Sequence, residues 1–370
     1  MAKTRVSARL SKTANGELLD LAVRHQLFLT RLSQHESTHL LGFMLEAHDD
    51  LSIKISRRLD RIKMRGRGSA QGTKRLKLLL AGIKEMTEAI HEQAMGQLAP
   101  RLVEIGQAEI KHAAGSIATA SPVKIDLIMP PARVLTDIAM AEPMSGLAIK
   151  GWFDKLTRFQ VEGVDRAVRL GVAEGETTNQ IMRRIRGTQA AKYRDGVLGG
   201  SRRHAQAIVR TAVNHTTTRS RDALYGRNED VVKSVRIVAT LDSRTSPICQ
   251  SQDGKVYMVG SGPRPPFHIN CRTTTAPVLR SWKEMGIDLK EAPAGTRASM
   301  NGQVPASVTY GDWLKRQNAT IQNEALGTTR GAMFRTGDLE ITRFTDRKGR
   351  AFSLDELKRR ESDVYDAATK

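Results

Sequence analysis

Up to about Ser234 the apolar residues of this chain recur at helical spacing, and only then, for one short stretch, do they alternate. Leu51, Ile55, Leu59 and Ile62 fall on one helical stripe, and Leu79, Ile83, Met86 and Ile90 on another. The charged, glycine-containing break Arg65-Gly66-Arg67-Gly68-Ser69 lies between them, which predicts a helical hairpin or bundle rather than a parallel sheet. Aromatics make up only 4% of the 370 residues, in keeping with aliphatic helix packing.

A proline-marked loop follows at Ser121-Pro122 and Met129-Pro130-Pro131, and a further helix begins near Trp152, with Leu156, Phe159 and Leu170 expected inward. Thr177-x-x-Gln180 has the capping-box pattern, and Gly187 closes that short helix. Ser201 is expected to cap a helix running to Tyr225, ended by Gly226, with Arg202, Arg203, Arg210, Arg219 and Arg221 on its polar face. Val235, Ile237, Ala239 and Leu241 then predict a strand ending at Asp242, and Asp253-Gly254 a tight turn into a second strand around Val256 and Met258. From Ala292 to Ser307 the residues are small and polar, like a linker. Helical pieces follow from Trp313 to Leu326 and after Thr328, then a short strand at Ile341–Phe344 and a last helix capped by Ser353-x-x-Glu356. The class expected is α+β and predominantly helical: a helical region over 1–174, a small α+β module over 175–281, and a linker with a helical C-terminal extension over 282–370.

The chain carries 59 Lys and Arg against 39 Asp and Glu, a formal net charge of +20. Such a balance attracts polyanions, of which nucleic acids are the abundant cellular kind. Residues 51–77 hold ten basic residues against one acid, Asp60, and residues 183–236 hold thirteen against four. Arg57, Arg58, Arg61, Lys63, Arg65, Arg67, Arg202, Arg203 and Arg210 are the candidate phosphate contacts. Contacts of this kind bind by counterion release, without reading bases. The bland alternative is a solvated helix face. No aromatic residues interleave these cations to stack bases, so duplex DNA is the simplest partner. No apolar run reaches the roughly 20 residues needed to span a bilayer, and residues 1–13 lack the apolar core of a signal peptide, so a cytosolic setting is expected.

Both cysteines of the chain, Cys249 and Cys271, lie in the block LDSRTSPICQSQDGKVY…GPRPPFHINCRTTTAP, with His268 three residues before Cys271. Two thiolates and an imidazole are ligands that Zn²⁺ favours, and Asp242 is the candidate fourth ligand of a closed tetrahedral site. On the residues alone two further readings stand beside it. One is a reduced, hydrogen-bonded cluster in which the cysteines are small buried hydrophobes and His268 caps a turn; the other is a disulfide, disfavoured in a reducing cytosol. Arg244 and Arg272 flank the block as surface anion partners or as a buried fork on Asp242 or Asp253. Thr245 and Asn270 suit turn stabilisation, and Pro265-Pro266 stiffens the approach to His268.

The order LDSRTSPIC, DG, PPFHINCRT, preceded by IVRTAVNHTTTRSR, closely resembles the Mu-F-like phage head morphogenesis family, the minor head proteins. Asp242, Arg244, Thr245, Cys249, Asp253, Gly254, Pro266, His268, Asn270, Cys271 and Arg272 stand where the family motif has them. The resemblance is strong over about residues 175–281, and weaker in the N-terminal helices and the TYGDWLKRQ…LGTTRGAMFRTG tail. It implies a minor capsid component that works with the portal protein, and with major capsid or scaffolding protein, in procapsid assembly and DNA packaging. The place implied is the capsid interior of the virion, after assembly in host cytoplasm, with no membrane partner. It supplies no catalytic mechanism, so the expectation is a non-enzyme. The enzymatic alternatives are a zinc nuclease or hydrolase built on Asp242, Cys249, His268 and Cys271, with Asp253 as the nearest candidate base, and a thiol hydrolase. No Walker loop is present, which excludes the packaging motor. The apolar faces of long N-terminal helices need a partner, which puts the expected portal contact in the N-terminal third.

Overall fold

The computed structural model describes residues 13–63, 70–289 and 295–370. Arg65, Arg67 and the break between the first two helices lie outside the described residues, as does the side chain of Lys63. The class is as expected: twelve α-helices among the described residues, with a few short strands. Helices α1 (Ala14–Lys63) and α2 (Ala70–Ala120) are each about fifty residues long and contribute to both of two compact units. One unit comprises residues 31–105 and 136–213; the other comprises 1–30, 106–135 and 214–370.

The first of these units is all helical. Its two apolar clusters are built from α1, α2, the end of α3 (Ala132–Met140), α4 (Ile149–Ala173), α5 (Thr178–Arg186) and the start of α6 (Val197–Gly226). Leu51, Ile55 and Leu59 of α1 join Leu79 and Ile83 of α2 and Ile181, Met182 and Ile185 of α5. These stripes are covered within the chain, while Leu27, Phe28, Leu45 and Ile53 of α1 and Leu78 of α2 stay exposed. Thr177 and Gln180 cap α5 reciprocally and Gly187 closes it. On α4 the buried seam runs Phe153, Leu156, Gln160, Val164, Ala167 and Gly171, so Leu156 points inward but Phe159 and Leu170 flank the seam and are exposed. Gln160 tolerates the seam because its carbonyl accepts from Ser201 Oγ at 2.6 Å. Ser201 is therefore a buried residue inside α6, which begins at Val197, and not its cap.

The second unit holds the antiparallel sheet β2-β1-β3, from β1 (Val232–Val238), β2 (Val256–Met258) and β3 (Thr274–Leu279). β1 stops at Val238 rather than Asp242, because the Ala239 amide turns away to donate to Asp253 Oδ1 at 2.7 Å. The segment expected as a linker contains a hairpin instead, β4 (Thr296–Ser299) with β5 (Gly302–Pro305). Its Arg297 is only 2% exposed, and a buried cation needs a partner in the fold, as a linker residue does not. Short helices complete the unit: α7 (Pro247–Gln252), α8 (Tyr310–Lys315), α9 (Ala319–Leu326), α10 (Thr328–Thr336), α11 (Leu354–Arg360) and α12 (Ser362–Thr369). Ile341–Phe344, expected as a strand, is a 3₁₀ turn, whose period of three buries both end residues on one side. The capping box on α11 forms as expected.

Within this unit the last turns of α6 are tied to its neighbours by buried charge. Glu109 of α2 accepts from Arg221 and from His25 of α1, and Arg221 also donates to Thr274 of β3 at 3.0 Å. Arg221 is therefore a buried structural cation and not part of an exposed polar face.

Candidate metal centre

Ser246-Pro247 starts α7 with proline in its first turn, which places Cys249 on the buried side of one helical turn. Across from it the chain makes a tight turn over 268–271, in which the Cys271 amide donates to the His268 carbonyl at 3.2 Å. Asn270 takes a left-handed φ of 60°, a conformation that Asn accepts more readily than most residues. This turn is held from α6: Asn214 Nδ2 donates to the carbonyls of Cys271 at 2.6 Å and Thr273 at 3.2 Å.

The result brings three soft or borderline donors together. Cys249 Sγ lies 3.6 Å from Cys271 Sγ and 3.2 Å from His268 Nε2, and the three ligand atoms all fall within 4.8 Å of one another. Both thiols are free, so the disulfide alternative does not apply. His268 Nδ1 faces its neighbour's carbonyl, Ile269 O, at 2.8 Å. That contact fixes the proton on Nδ1 and leaves Nε2 as the lone-pair nitrogen, here also 2.7 Å from Ser246 Oγ. Around tetrahedral zinc, bond lengths near 2.3 Å to sulfur and 2.0–2.1 Å to nitrogen give ligand separations of about 3.8 Å (S–S) and about 3.5 Å (S–N). The observed edges are close to both.

The electrostatics lean the same way. The hydrogen bond from Cys249, aided by His268, draws the Cys271 thiol down towards the thiolate, while the same contact and burial push Cys249 up. Contact with Cys271 raises His268. The contact thus favours ionisation at Cys271 over Cys249, and a dication would favour the thiolate form of both.

Asp242 is not part of this group. Its two oxygens accept a bidentate fork from Arg272, at 2.6 and 2.8 Å, and Oδ1 also takes the Arg244 amide at 3.1 Å. Burial opposes its ionisation, but the Arg272 fork outweighs that and holds the carboxyl below its usual range. The expected fourth ligand is therefore a structural anion that closes the loop before α7, with Thr245 Oγ1 between its Oδ1 (3.0 Å) and the Thr240 carbonyl (2.5 Å). The Arg244 side chain points to solvent, 83% exposed.

Asp253, at the end of α7, is buried and accepts from four donors: the amides of Ala239 and Tyr310 and both terminal nitrogens of Arg297. Gly254 follows at φ 79°, which a side chain would not tolerate against Thr309. Pro265 and Pro266 are joined by a cis peptide bond in the loop leading to His268. Sequence reasoning did not single out Asn214, Ser246, Gln250, Arg297 or Tyr310. Gln250 Nε2 donates to the Thr245 carbonyl at 2.7 Å, and Tyr310 Oη donates to the Asp242 carbonyl at 2.9 Å. For Asn214 a signal was available, since the run Asn214–Thr218 puts five consecutive polar residues in a helix interior and all five are buried.

The candidate phosphate contacts divide in two. Arg57, Arg58 and Arg61 are exposed on α1. On α6, Arg202 and Arg203 donate to the carbonyls of Tyr193 (3.3 Å) and Arg194, and Arg210 donates to Gln34 Oε1 at 3.2 Å.

Residues 162–276 match the family model described as Phage Mu protein F like protein. That segment is Mu-F-like. It covers about a third of the chain and contains α5, α6, β1, α7, β2, both cysteines, His268 and the first part of β3. No curated protein and no solved structure gives a significant match to the chain. Among the described residues no helix is long and apolar enough to cross a membrane.

Proposed function

We propose that this chain is a minor head protein of a double-stranded DNA phage, acting in head morphogenesis beside the portal protein and contacting the packaged duplex. The single observation that carries this is the Mu-F-like match over 162–276, which coincides with the motif-bearing loops. The net charge of +20 supports a polyanion partner. In this reading the chain also meets major capsid or scaffolding protein, assembles in host cytoplasm, and resides in the capsid interior.

The role is architectural, and Cys249, His268 and Cys271 hold a structural zinc ion. Three protein donors leave one coordination position, as in catalytic zinc sites. Two observations favour a staple over a hydrolytic centre. Both thiols are enclosed, at 2% and 5% exposure, and the two nearby carboxylates, Asp242 and Asp253, are saturated by arginine and backbone donors. A general base needs a free lone pair within reach of water.

Co-expression of the full chain with the portal protein of its own phage tests the reading. Recovery of a stable complex, and of the chain in assembled heads, is the expected result. A chain that joins neither portal nor heads, or purified protein whose nuclease activity follows its zinc content, overturns it.

A further inference from the structure

Arg202, Arg203 and Arg210 of α6 each spend a donor on an oxygen of the protein itself, so a second group of cations bears on where a polyanion can bind. Six exposed cations lie on the two helix segments that flank residues 64–69: Lys54, Arg57, Arg58 and Arg61 on α1, and Lys74 and Lys77 on α2. None of the six forms an ion pair with a described carboxylate. The one acid of the stretch, Asp60, is turned to another task, its Oδ1 accepting from Thr178 Oγ1 of α5 at 2.6 Å. Positions 55 and 59 bury Ile55 and Leu59 in the core, so the helical period carries 54, 57 and 61 to the far arc and 58 to its edge beside α2. The two helices approach closely here, with the Arg58 guanidinium seated over Gly82 of α2, where a Cβ would collide with it.

We infer that this end of the α1–α2 pair is the chain's docking surface for double-stranded nucleic acid, gripped through its phosphates. The inference rests on the DNA contact proposed above and specifies its place. Like charges held together without acidic partners leave a local potential that a phosphate backbone relieves, with release of condensed counterions. Residues 51–80 contain no Phe, Tyr or Trp, so nothing there stacks unpaired bases, and a duplex is the form that fits. Binding is indifferent to sequence and steep in salt.

The test is fluorescence anisotropy of a labelled random-sequence duplex with the full chain, across a salt series, and with a single strand of equal length as competitor. The variant Arg57→Glu/Arg58→Glu/Arg61→Glu is compared with Arg347→Glu/Lys348→Glu/Arg359→Glu, which changes net charge equally at exposed sites elsewhere. Because Arg58 packs on Gly82, the neutral Arg57→Gln/Arg58→Gln/Arg61→Gln variant and thermal melts accompany them. The α1 variants are expected to weaken duplex binding at least about 10-fold and to flatten the salt slope by about 3, while the control changes little. Equal losses in both triple-Glu variants, no duplex binding by the parent chain, or preference for the single strand overturns the inference. Portal co-purification of the parent chain distinguishes the two failures: a parent chain that joins portal but binds no duplex overturns this surface alone, whereas one that joins neither portal nor heads overturns the head-protein reading.

Discussion

Arg297 and Asp253, 44 residues apart in sequence, form a fully buried ion pair at 3.0 and 3.1 Å, with side chains 2% and 0% exposed. The pair pins the β4–β5 hairpin under the turn that follows α7. Breaking one side of such a pair strands the other charge away from water, which typically costs about 3–5 kcal/mol. Arg297→Met and Asp253→Asn are each expected to lower the urea-unfolding free energy on that scale. The double variant should lose less than the sum of the two. Additive losses would mean that the two side chains act independently.

The zinc reading separates Asp242 from its neighbours. Elemental analysis of the purified chain should find zinc at one equivalent, lost in Cys271→Ser and in His268→Ala. Asp242→Asn should keep its zinc, because Asp242 is held by Arg272 and not by the cluster. It should still be less stable, since it weakens a charge-assisted fork worth about 1.5–3 kcal/mol. Zinc lost from Asp242→Asn would return the aspartate to the ligand set. No zinc in the parent chain would leave the reduced hydrogen-bonded cluster as the correct account.

Acid should loosen the helical unit. Burial lowers His48 to about 3 and His91 to about 4, and His91 Nδ1 lies 2.8 Å from the Thr157 hydroxyl. An unfolded histidine titrates near 6.5, so below that pH the unfolded chain takes up protons that the folded chain refuses. Stability contributed by the neutral rings is complete above about pH 6.5 and falls as the pH drops through the window towards 4. The slope is at most about 1.4 kcal/mol per pH unit for each ring. Replacing His48 by Leu should reduce the slope of unfolding free energy between pH 6.5 and 4.5 by about one ring's share. An unchanged slope would show that His48 is not held neutral.

Much of this was legible locally. The spacing of Leu51, Ile55 and Leu59, the box at Thr177 and Gln180, and the turn at Gly254 each state a local rule, and the chain obeys it. Local rules failed where a distant group intervened. Ser201 looks like a cap but bonds Gln160 of another helix, and the alternation to Asp242 is cut short by Asp253.

The amino-acid order by itself determined the helical character, the basic charge, the Cys249–His268–Cys271 ligand types and the Mu-F-like motif, because these depend on residue identity and short-range period. Only the tertiary structure decided that neither Asp242 nor Asp253 joins the cysteines and which arginines are bonded within the protein. Those choices depend on hydrogen bonds between residues 9 to 44 positions apart. Arg272 and Arg297 claim Asp242 and Asp253, and the carbonyls of Tyr193 and Arg194 claim Arg202 and Arg203. A carboxylate already saturated in the fold is no longer available to a metal, a guanidinium bonded to a carbonyl has fewer donors left for a phosphate, and no pattern of spacing records those bonds.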